Sequence, residues 1–185
     1  MQDLAHLWLP ILLTGVFVFI ASSLIHMVFK WHNSDYGKLA NEDEVRVAVR
    51  AGKPSPGQYV FPHCIDMKQM QEEATMSKFI EGPIGFLTIR KSGPPTMGPA
   101  LLMWFVFTVL IAAFAALIVV QGLGLQANPR MAGHMIGLIS LLAYCGGSVQ
   151  SAIWMGKLWG SVAKDLLDGF IYATISALTF MYFWP

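Results

Sequence analysis

The chain has 185 residues, 55% of them hydrophobic and only 12% charged, with a net charge of +1. A soluble domain carries about 25% charged residues, so this composition argues against one. The near-neutral balance gives no basic field for nucleic acid. Cys64 and Cys145 fall in segments of different character, one polar and one apolar, which predicts free thiols and no disulfide framework.

Charge is unevenly placed. Residues 30–98 hold nine of the twelve Lys/Arg and eight of the eleven Asp/Glu. The pattern predicts an integral membrane protein, mainly α: a four-helix transmembrane bundle with a small α+β polar module between spans 1 and 2. A span needs roughly 20 apolar residues, at about 1.5 Å each across a hydrocarbon core of about 30 Å.

In chain order, the first span is expected at 8–29, opening on Trp8 and Pro10. No Lys or Arg precedes it and Lys30 follows it, which favours a retained span over a cleaved signal peptide. The module occupies 30–98. Within it, Asn41 followed by Glu42, Asp43 and Glu44 predicts a capped helix that Gly52 ends. Tyr59–Phe61 and Ile84–Ile89 read as strands, and Asp66–Ile80 as a second helix. The remaining spans are expected at 100–120, 131–149 and 166–184, with a polar connector at 150–165. Trp8, Trp154, Trp159 and Trp184 suit aromatic belts at the two interfaces.

Residues 30–98 and 150–165 together carry eleven of the twelve Lys/Arg. The positive-inside rule then predicts a cytoplasmic module and connector, with both termini extracytoplasmic. Gly133 and Gly137, Ala112 and Ala116, and Gly169, Ala173 and Ala177 make small-residue ridges at four-residue spacing. Such ridges let helices approach closely, within the bundle or between subunits.

The candidate metal ligands are His26, His32, Asp35, His63 and Cys64, with Met27, Asp66 and Met67 nearby. Imidazole with thiolate suits zinc or copper. Their spacing matches no zinc motif, so structural roles compete with ligation. His26 at the end of a span can also cap terminal carbonyls, and His6 with His134 could bridge a haem or metal only if the fold made them neighbours. Asp168 is a membrane-embedded acid, a residue type that can serve ion or proton movement. Lys164, four residues earlier, shares its helix face and could pair with it locally, though the Lys-before-Asp order is the less favoured one. No phosphate loop, nucleophile elbow or dinucleotide glycine pattern occurs, so no catalytic residue is assigned.

The runs Trp31–Tyr36, Phe61–His63, Glu81–Phe86 and Gly93–Gly98, with the closing Phe183-Trp184-Pro185, resemble an uncharacterised group of small bacterial multi-span membrane proteins. The resemblance implies a bacterial inner membrane and brings no catalytic residue. The expected role is non-catalytic: an accessory or assembly subunit of a larger membrane complex, with lipid and membrane proteins as partners. The alternatives are metal handling through the His/Cys cluster or, less favoured, a small transporter using Asp168.

Overall fold

Backbone amides cannot go unpaired in hydrocarbon, so long apolar runs must satisfy their hydrogen bonds as helices. A computed structural model, describing residues 5–185, has four helices long and apolar enough to cross a membrane. The first, α1, is α-helical over Trp8–Ser23 and continues as a π-helical turn over Leu24–Phe29. Between the first and second of these lie, besides a 3-10 turn, three short helices, α2 (Glu42–Ala51), α3 (Met67–Met70) and α4 (Glu73–Glu81), and two strands, β1 (Gly57–Phe61) and β2 (Gly85–Ile89). The other three long helices are α5 (Gly98–Leu123), α6 (Pro129–Met155) and α7 (Trp159–Phe183). The fold is therefore mainly helical with one two-stranded sheet, and the four apolar helices make the chain a multi-pass membrane protein.

The long helices outrun the apolar windows of the sequence. α6 continues through Gln150 and Ser151 to Met155, and α7 starts at Trp159, so only Gly156–Leu158 separates them. Hydropathy reports what lipid tolerates, whereas a helix ends where its backbone is stopped. Here Gly156 does so at φ 70°, a left-handed cap open to a residue without a side chain.

The chain divides into two compact units. One comprises the residues up to Tyr36 together with Thr96–Pro185 and contains all four long helices. In it α1 packs on α5 and α7, and α6 packs on α5 and α7, so each helix has two neighbours. One core cluster gathers Ala112, Ala115, Ala116 and Val119 of α5, Ile136 of α6 and Phe180 of α7. A second joins Val18 and Ile25 to Tyr172, with Trp31, Trp104 and Tyr144 against it.

The small-residue ridges are used inside this bundle. A Cβ on Gly137 would lie 2.9 Å from Cβ of Ala177, and one on Gly133 would lie 2.7 Å from the Ala177 carbonyl oxygen. α6 and α7 approach closely because those positions have no side chain. Trp184 departs from the belt expectation. It is 6% exposed and donates from Nε1 to the Leu125 carbonyl at 3.0 Å, whereas Trp8, Trp154 and Trp159 are each more than 60% exposed. Its indole closes the loop between α5 and α6, which satisfies both its ring and its N–H.

The second unit, Gly37–Pro95, holds α2, α3, α4 and the sheet. The strands run antiparallel with Gly57 opposite Ile89 and Phe61 opposite Gly85. Asn41 precedes α2, yet its side chain makes no capping hydrogen bond. The helix expected over Asp66–Ile80 is two pieces, because Glu72 is extended (ψ 135°) between α3 and α4. Asp66 caps the first piece by accepting from the Gln69 amide at 2.8 Å. No residue of this unit is buried.

Gly137→Leu should therefore destabilise the bundle by about 1–3 kcal/mol through overpacking. Gly147→Ala, where nothing lies within 4 Å of the added carbon, should be neutral or stabilising by up to about 1 kcal/mol. Thermal unfolding in detergent reads both, and equal behaviour of the two variants would contradict the α6–α7 contact.

Candidate functional site

Two local features aim the residues at one end of the bundle. The π-helical turn closes with the Lys30 amide bonded to the Ile25 carbonyl at 2.9 Å, one residue wider than an α-turn. Lys30 itself is left-handed (φ 55°) and turns the chain into a 3-10 turn, Trp31–Asp35. As a result His32 folds back over His26, their rings stacked with centroids 4.9 Å apart and planes 10° apart.

His32 bridges two acids. Its Nδ1 lies 2.7 Å from Oδ2 of Asp35 and its Nε2 lies 2.9 Å from Oδ2 of Asp168 in α7. An ionised carboxylate only accepts, so between two ionised carboxylates both ring nitrogens would donate and His32 would be an imidazolium. Burial opposes that charge, but the hydrogen bonds and negative charges of Asp35 and Asp168 outweigh it and raise the pKa of His32 above 6.5. Lys164 donates to Oδ1 of Asp35 at 2.6 Å, to Oγ of Ser34 at 2.8 Å and to the Trp31 carbonyl at 2.9 Å. That uses all three ammonium protons. Chiefly through Lys164, the Asp35 carboxyl is held down to about 2. Two acids and two bases thus form one neutral network.

The network is a clamp. Lys164 and Asp168 belong to α7, and His32 and Asp35 belong to the turn through which the chain leaves the bundle. The local Lys164–Asp168 pair expected from their spacing does not form: Lys164 takes Asp35, and Asp168 takes His32. Asp168 is 5% exposed, and its Oδ1 has no hydrogen-bond partner.

Beside the clamp lies a half-open cleft of about 540 Å3, with His26, His32, Asp35, Lys157, Ser161 and Asp165 in its wall. Asp165 there accepts from Lys157 and Ser148, a cluster formed across the Gly156 break. Deeper in the bundle, Trp104 donates from Nε1 to Oγ of Ser22 at 2.7 Å, and the Tyr144 and Tyr172 hydroxyls are buried without partners. Nothing in the spacing of Lys157, Ser148 and Asp165 marks them as neighbours, because the contact depends on where α6 stops.

Of the sequence candidates, the structure joins His26, His32, Asp35 and Asp168. One donor atom each from His26, His32 and Asp168 lies within 4.8 Å of the other two. His63 and Cys64 follow β1 in the other unit, and the grouped metal-capable side chains among the described residues do not include them. His6 and His134 are exposed and equally outside that group.

Fold and site together define a multi-pass helical membrane protein with a part-buried acid–imidazole–acid bridge at one end of its bundle. Comparison with known proteins finds no matching family model, no matching curated protein and no matching solved structure.

His32→Ala leaves the buried Asp168 carboxylate without a counter-charge, and should cost about 3 kcal/mol or more. Asp168→Leu in that background should return part of the loss, since no buried charge then remains. The pH dependence follows from the two shifts. The raised His32 contributes fully below 6.5 and loses its contribution as pH rises through its folded value. The lowered Asp35 contributes above 3.8 and loses its contribution as pH falls through about 2. Melting of the wild type relative to His32→Ala, measured with chelator present, should therefore show its largest difference in the weakly acid range between these limits. A difference that grows above neutrality would contradict the clamp.

Proposed function

We propose that this chain is an accessory or assembly subunit of a larger complex in a bacterial inner membrane, acting by binding, with the Gly37–Pro95 unit as its docking surface. The observation that carries this reading is that the unit has no buried residue, while Ile65 is 82% and Ile80 79% exposed, and Ile84 and Phe86 are exposed as well. A two-stranded sheet with short helices and no core is marginal in water. Covering those side chains on a partner would supply burial worth about 25 cal/mol per Å2.

The clamp supports the same reading. It fixes the Trp31–Asp35 turn, the last element of the bundle before the unit begins in sequence. Lys/Arg placement supports a cytoplasmic unit and extracytoplasmic termini. The absence of catalytic motifs from the sequence fits a binding role.

Purified in mild detergent, the tagged chain should bring down a defined set of membrane proteins in fixed ratio. Ile65→Glu with Ile80→Glu should lose them while the chain stays in the membrane. A homogeneous monomer, with every membrane complex intact in cells lacking the chain, overturns the proposal.

A further inference from the structure

We propose that His26, His32 and Asp168 form a binding site for a divalent transition-metal ion of the zinc class, a property independent of the docking role. The three side chains come from two packed elements and their connecting turn: His26 from the π-helical turn, His32 from the 3-10 turn and Asp168 from α7. One donor atom from each lies within 4.8 Å of the others. Zinc lies about 2.0–2.2 Å from nitrogen and carboxylate oxygen, so the donors it gathers are somewhat nearer than that limit. His26 is exposed, and its ring stacks on that of His32.

The donor chemistry is resolved by the hydrogen bonds. Nδ1 of His26 lies 3.0 Å from the Ser22 carbonyl oxygen, which can only accept. Nδ1 therefore carries the proton, and Nε2 keeps the lone pair a metal needs. For His32, an ion in the Nε2–Oδ2 gap replaces the single proton that now joins the ring to Asp168, and that proton leaves to solvent. The Nδ1–H bond to Asp35 remains, giving the carboxylate–histidine support that orients metal-bound imidazoles.

Two further observations point to a cation here. Asp168 is 5% exposed and its Oδ1 lacks any hydrogen-bond partner, so the carboxyl keeps acceptor capacity that His32 does not use. The cleft reaches His26 and His32, so an ion has a path from water. Two imidazoles with one carboxylate favour zinc-like ions over calcium or magnesium, which take oxygen donors, and over Cu(I), which takes sulfur. Three protein ligands leave one position of a tetrahedral shell open toward water.

The test is titration of the full chain, in detergent or lipid discs, with zinc ion alone. The wild type should bind one ion per chain. His26→Ala removes an exposed side chain and should preserve the fold while weakening binding by more than about 100-fold, the upper end for loss of a supporting residue. Asp168→Asn should likewise weaken binding, and zinc should raise the melting temperature of the wild type but not of His26→Ala. His63→Ala with Cys64→Ala should bind as the wild type does. No stoichiometric zinc, binding that survives His26→Ala, or binding lost only in the His63/Cys64 variant overturns the site. Each of these results is read without any partner protein, so failure here is separate from failure of the docking proposal.

Discussion

Asp168 poses the problem that the rest of the structure answers. It lies inside a helix long and apolar enough to span a membrane, with 5% of its surface exposed. A carboxylate at such a place is costly unless paired. The counter-charge comes from His32, which lies outside the spans in the turn after α1. To reach Asp168 the chain widens into a π-turn, reverses at a left-handed Lys30 and folds the second imidazole over the first. One ion pair thereby ties the first long helix to the last.

That tie has consequences for packing. The α6–α7 seam is already drawn tight by glycine, and α1 joins it through Val18, Ile25 and Tyr172. Lys164 and Asp35 extend the bridge along α7, so the Trp31–Asp35 turn is held by four side chains. A metal bound there would replace a proton in a network already built. The docking surface and the metal ligands have no residue in common: one is an uncovered module, the other a set of converging donor atoms.

The membrane helices were legible in the sequence because bilayer thickness imposes a length and a composition. Their ends were less legible. Gly156 rather than loss of hydropathy stops α6, and Trp184 looks like a belt residue in sequence while the Leu125 carbonyl draws it inward. In the other unit the Asn41 signal marked a helix start correctly, though its side chain makes no cap. Half of the site could be read from place alone. Asp168 was an acid in an apolar run, and His26, His32 and Asp35 crowd the end of the first span. Their convergence could not be read, since His32 and Asp168 are 136 positions apart. Local spacing suggested Lys164 as the partner of Asp168, and adjacency of imidazole and thiol drew attention to His63 and Cys64. Helical neighbours are only available partners, and tertiary contact decides which ones pair.

The central claim is that His32 carries a proton on each ring nitrogen and shares one of them with Asp168. Nitrogen NMR of selectively labelled histidine, in the reconstituted protein at neutral pH with chelator present, reads this directly. The account predicts an imidazolium spectrum for His32 that reverts to a neutral ring in Asp168→Asn. A neutral His32 in the wild type, unchanged by that substitution, would contradict it.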